Sequence, residues 1–161
     1  MSRMRARLSL VVCLTALVSA SPARAEESQV WIEKASDGFV SLAYGPLDPA
    51  KTPTLLLSCF DAMGIAVLDL HIPIDGAKPG EAITIALSAG EAKTQVEGEA
   101  ALDEVSSMIF AEASDIAVKP VLEVFRQPGP VAITVGPTNA TLSDQGRADA
   151  VDKFSKDCQI D

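Results

Sequence analysis

Histidine occurs once in the 161 residues, at His71, and aromatic side chains are few: one Trp, one Tyr and five Phe. Histidine is the usual carrier of protons near neutral pH, so its scarcity removes most general acid–base designs. The serine motifs that could replace it are missing as well. Gly-x-Ser-x-Gly is absent, and neither Ser155-Lys156 nor Ser114 to Lys119 has the Ser-x-x-Lys spacing. Gly76, Gly80 and Gly90 fall between strand-like runs, which excludes a phosphate loop opening a helix. The sequence therefore offers no catalytic set.

What is present begins with an export pattern. Arg3, Arg5 and Arg7 precede an uncharged run from Leu8 to Ala20, and Ser21-Pro22 then breaks it. Ala23-Arg24-Ala25 supplies small residues at the two positions read by signal peptidase, so residues 1–25 are expected to be a signal peptide cleaved after Ala25. Crossing a membrane takes about 20 apolar residues, and no second run of that length follows. The expected mature protein is a single β-rich domain, 26–161, periplasmic or secreted, with no stable membrane insertion. Cys13 sits inside the apolar run behind Val12, unlike a lipidation site, and reads as one more apolar residue of the discarded peptide.

Cleavage changes the balance of charge. The segment carries four arginines and no acid, so the formal charge of −9 becomes −13. Nucleic-acid affinity comes from neutralising phosphates with Lys and Arg, and this chain is of the wrong sign for it. The acids are scattered, which fits a solvated and self-repelling surface better than an acidic site for a basic partner.

Cleavage also leaves two cysteines, Cys59 and Cys158. In an oxidising compartment an even pair reads as a structural disulfide. It would close a loop of 100 residues, for which the loop-entropy argument gives about 4.7 kcal/mol before any strain. A redox dithiol is normally local, as in Cys-x-x-Cys, and a zinc site needs further His or Cys.

The mature chain reads mainly as short strands between turns. Val30-Trp31-Ile32 is the first. Phe39 to Tyr44 sets Val40, Leu42 and Tyr44 against Phe39, Ser41 and Ala43. Thr54 to Phe60 is nearly all apolar and suits a central strand, although periodicity alone also allows a helix. Ile65 to Ile72 aligns Ala66, Leu68, Leu70 and Ile72, so 59–72 reads as a hairpin. Further strands are expected at 82–88, 92–97, 105–111 and 131–135, with a short return through Leu142. Gly-Glu-Ala recurs at Gly80, Gly90 and Gly98 at unequal intervals, as hairpin turns do.

Two helices are expected: one with Pro120 in its first turn running to Gln127, and a C-terminal one capped by Ser143. The latter would bury Ala148, Val151, Phe154 or Ser155, and Cys158 on one side. The fold class is thus mainly β: an antiparallel β-sandwich or partly open barrel with one short helix and a C-terminal helix.

Two weak sites remain. Asp69 and His71 share a strand face and could begin a metal site with Asp61 or Asp75, one ligand short of the usual three. Trp31 and Tyr44 could form a small aromatic platform for a ligand, or simply pack in the first sheet. Asn139-Ala140-Thr141 matches a glycosylation sequon and equally a turn entering a strand. No cofactor is implied.

Trp31, Leu42-Ala43-Tyr44-Gly45, Leu55-Leu56-Leu57-Ser58-Cys59, the Gly-Glu-Ala hairpin region and Phe154-Ser155-Lys156-Asp157-Cys158 follow one another in an order that resembles a loose group of bacterial exported single-disulfide β proteins with no named activity. The resemblance implies the β domain and the disulfide, and no catalytic residue. The leading expectation is a non-enzymatic envelope protein that binds another envelope protein or a cell-wall component. A small-ligand or metal binder comes second and a hydrolase third.

Overall fold

The computed structural model describes residues 28–60 and 65–160. Residues 1–27, which include Cys13 and Ala25 of the expected signal segment, and residues 61–64, which include Asp61, lie outside the described residues. Among the described residues, nine strands and two helices follow in chain order: β1 (Gln29–Ser36), β2 (Phe39–Pro46), β3 (Leu55–Phe60), β4 (Ala66–Leu70), β5 (Ala82–Ala89), β6 (Ala92–Asp103), β7 (Met108–Ile116), α1 (Val118–Phe125), β8 (Val131–Val135), β9 (Thr138–Leu142) and α2 (Arg147–Asp157). None of these helices is long and apolar enough to cross a membrane.

All nine strands join one antiparallel sheet in the order β1-β2-β3-β4-β7-β6-β5-β8-β9, curled into a half-barrel. The fold is mainly antiparallel β with a C-terminal helix, as the period-2 pattern requires. Of the two architectures expected, the open barrel is the nearer, since there is one continuous sheet and not two stacked ones.

Turn chemistry fixes the register. Ser36 pairs with Phe39 across Asp37-Gly38, both at positive φ (48° and 81°). Two successive positive φ values make the tight turn whose twist matches that of paired strands. That register puts Trp31 opposite Tyr44 and continues as Tyr44 opposite Leu55 and Leu55 opposite Leu70. Because side chains alternate, every second residue of each strand then faces one side. Leu42, Leu55, Leu57, Leu68, Leu70, Ile85, Leu87 and Ile133 on that side are essentially inaccessible.

The helices cover this same face. Val121, Leu122 and Phe125 of α1 and Val151 and Phe154 of α2 belong to the one core cluster. α1 packs on β5 and β6, α2 packs on β1 and β2, and the helices touch each other. Cys158 at the end of α2 reaches Cys59 on β3, with the Cα atoms 6.2 Å apart, and the disulfide is formed.

Several boundaries differ from expectation. α1 spans Val118–Phe125, with Pro120 in its first turn as expected but an earlier start and end. α2 begins at Arg147 behind Gly146, with no side-chain cap. Ser143 does not cap it, because its carbonyl and hydroxyl are held by Trp31 and Tyr44. Ala148 is exposed, and Ala150 takes its place on the buried stripe. β6 runs six residues past Glu97, which makes Val105 a hairpin tip, 98% exposed, and not the start of a strand.

Candidate functional site

Both helices pack on one side of the sheet, so among the described residues no helix covers the other side of β1–β4 and β7. Register places a single row across it: Ile32, Ala43, Leu56, Asp69, Glu112 and Glu99 on six neighbouring strands. The row changes character halfway. Its β1–β3 half is apolar, and its β4–β7–β6 half is carboxylate.

On the apolar half, Phe39 pairs with Phe60 in register, and their rings meet edge to face at 5.7 Å. They are 38% and 40% exposed, and Ile65, whose carbonyl accepts from the Phe60 N–H, is as open. Toward the other end of the strands, the 46–53 loop folds over Ile32, Ala43 and Leu56 to make a groove of about 200 Å³. Gly45 permits this, since a Cβ there would lie 2.7 Å from Pro53 Cα. The result is a ledge of apolar side chains ending in a shallow slot.

On the carboxylate half, Asp69 and Glu112 stand directly opposite each other. Asp69 is half-buried, and its Oδ1 has no hydrogen-bond partner among the described residues. Burial first and the Glu112 charge second push its carboxyl up to about 6. His71 lies just beyond β4, donating its backbone N–H to the Thr54 carbonyl, with its ring stacked on Phe110 at 4.6 Å. Burial lowers the imidazole pKa, against smaller opposing effects from Asp103 and a hydrogen bond to the Pro53 backbone.

Asp69 and His71 thus share the outward face, but each is matched to a different β7 neighbour. Among the described residues no group of three or more His, Cys, Asp or Glu side chains is placed to hold a metal. Asn139 of the sequon lies in β9, where its side-chain Oδ1 accepts a hydrogen bond from the Thr134 hydroxyl.

Trp31 and Tyr44 are neighbours, with ring centroids 5.2 Å apart. They are not a platform, however, because they face the core and are 5% and 7% exposed. Trp31 Nε1 donates to the Ser143 carbonyl at 2.6 Å, and Tyr44 Oη bonds to the same residue. Packing area and a satisfied polar edge account for both rings.

Two features escaped sequence reasoning. Arg147 opens α2 yet is 2% exposed, with its guanidinium 5.9 Å from the Trp31 ring. The Phe39–Phe60 ledge was visible only as the opposite phase of the β2 alternation, and nothing local marked that face as uncovered.

No family model matches the chain, and no curated protein or solved structure matches it either.

Proposed function

We propose that the protein is an exported, non-enzymatic binding module that contacts another envelope protein through the open face of β1–β4. The observation that carries this reading is the Phe39–Phe60 pair, exposed and adjoined by Ile65 on a face that neither helix covers. Apolar side chains gathered on one patch, rather than scattered singly, mark contact surfaces. A protein partner suits the patch better than a glycan, because the two phenyl rings bring no polar edge to orient hydroxyl groups. The signal-like segment and the Cys59–Cys158 disulfide support an oxidising location outside the cytoplasm.

The test is photo-crosslinking in cells from a reactive side chain placed at Ser41, which lines the groove two residues along β2 from Phe39. A discrete protein adduct that disappears in the Phe39→Ser/Phe60→Ser double variant is the expected result. An adduct indifferent to that change, or none at all, would reject the surface. Sequencing the exported protein from Glu26 checks the address separately.

A further inference from the structure

β6 has two neighbours but is paired with them over different lengths. It pairs with β5 throughout Ala92–Glu99, and with β7 only from Glu99 to Asp103. β7 leaves it at Glu112 and continues along β4 as far as Ile116. The parting point is Gly98, where a Cβ would sit 2.3 Å from the Glu112 carbonyl oxygen. Only glycine lets the two chains approach so closely there. Past it, Thr94–Glu97 and Ser114–Ala117 line opposite sides of an open groove of about 330 Å³.

The direction of the β6 backbone groups follows from its hairpin. Ala89 and Ala92 close a two-residue turn, and such a turn begins with a hydrogen-bonded pair. Even-numbered residues of β6 therefore bond toward β5. Ala100 has the same parity, donating to the Glu81 carbonyl and accepting from Gly80 N–H on that side. The N–H and C=O groups of Lys93, Gln95 and Glu97 point the other way, and none of these residues has a register partner on β7.

We propose that this edge is a strand-addition site for an extended, basic peptide segment of another protein. An unpaired edge supplies affinity through main-chain hydrogen bonds. Charge selects the partner. Glu97, Glu99, Glu112 and Asp115 line the groove and the opening that continues it, and no Lys or Arg is among the residues lining either. Lys93 stands only at the far end of the edge. Thr84 Oγ1 donates to both oxygens of Glu97, at 3.2 and 3.0 Å, which holds that carboxylate in place. A second copy of the chain would bring the same carboxylates face to face, and like-charge juxtaposition opposes that pairing. The site lies on other strands than the Phe39–Phe60 surface and does not depend on it.

The experiment titrates the disulfide-intact protein with a labelled decapeptide of alternating lysine and valine, beside the same peptide N-methylated throughout. The two carry equal charge, but only the first can pair as a strand. The expected result is binding weakened about tenfold or more by methylation, the equivalent of roughly one or two net hydrogen bonds. Amide exchange should slow at Lys93, Gln95 and Glu97 when the unmodified peptide binds. A Glu97→Gln/Glu112→Gln variant should bind several-fold more weakly, while Phe39→Ser/Phe60→Ser binds as before. Equal affinity for the two peptides, protection elsewhere, or no binding overturns the proposal. Self-association of the protein through this edge, seen by sedimentation and exchange without peptide, overturns it in favour of a second copy.

Discussion

The indole N–H of Trp31 donates to the carbonyl of Ser143, 112 positions further along the chain, at 2.6 Å. Trp31 lies on β1 and Ser143 directly follows β9, and these strands are the two edges of the sheet. One hydrogen bond therefore spans the open side of the half-barrel, supported by Tyr44 on β2.

Trp31→Phe keeps an aromatic ring in the core, but it removes the donor together with part of the indole volume. A part-buried carbonyl then loses its partner, a change worth about 1–3 kcal/mol. Urea unfolding should show that loss, with Tyr44→Phe costing less, because its two contacts with Ser143 are longer, 3.3 and 3.2 Å against 2.6 Å. An unchanged midpoint for Trp31→Phe would mean that the seam is held by packing alone.

The Cys59–Cys158 bond ties α2 to the middle of the β1–β4 half of the sheet. Its sequence separation of 99 makes the closed loop long, and restricting so long an unfolded loop is worth up to about 4.7 kcal/mol. Paired Cys59→Ala/Cys158→Ala substitution should lower unfolding free energy by roughly 2–5 kcal/mol. Reduction of the wild type should reproduce that loss in denaturant titration. Intact mass before and after reduction and alkylation reads the bond directly, and two thiols alkylated without reductant would refute it.

The alternation of Val40, Leu42 and Tyr44, continued by Leu55, Leu57 and Cys59, was enough to assign the buried face. Side-chain period is a local property of strands. Cys158 was legible for the same reason, since it continues the stripe of Val151 and Phe154 at helical spacing. Non-local choices were not. Ser143 has the chemistry of an N-cap, but a tryptophan over a hundred residues away competes for it. Arg147 reads as a solvent residue, and only the folded chain brings two carbonyls to its guanidinium. Where β7 exchanges β6 for β4 is likewise invisible, because both pairings satisfy the same alternation.

Arg147 makes a separate, testable contribution. Its Nη2 donates to the Gln127 carbonyl and to the Gly129 carbonyl, the latter at 2.6 Å, and so holds the turn between α1 and β8. Burial lowers its pKa, with Asp144 acting in the opposite direction, yet an arginine stays charged. Arg147→Met retains the stem and strands both part-buried carbonyls, a loss of about 1–3 kcal/mol for charge-assisted bonds. Arg147→Lys should fall between, because an ammonium on a shorter stem lacks the planar fork. Thermal melts rank the three. If Arg147→Met melts with the wild type, the guanidinium does not hold the turn.

Asp69 gives the protein a pH dependence of definite sign. Its folded carboxyl titrates near 6, above the ordinary value of 3.8, through burial and then the facing Glu112. Between those values the folded chain keeps a proton that the unfolded chain has released. This stabilising contribution is complete below about 3.8 and is lost as pH rises through about 6. A shift of two units in a fully desolvated group would amount to about 3 kcal/mol, but Asp69 is only half-buried, and solvent screening reduces this to the order of 1 kcal/mol. Asp69→Asn removes the titration and retains the shape. It should therefore raise the melting temperature at pH 7.5 and leave it nearly unchanged at pH 3.5. Glu112→Gln should bring the Asp69 titration, followed by NMR, partway back toward the ordinary range and no further, since burial is the larger cause. A gain from Asp69→Asn that is equal at both pH values would instead assign it to packing.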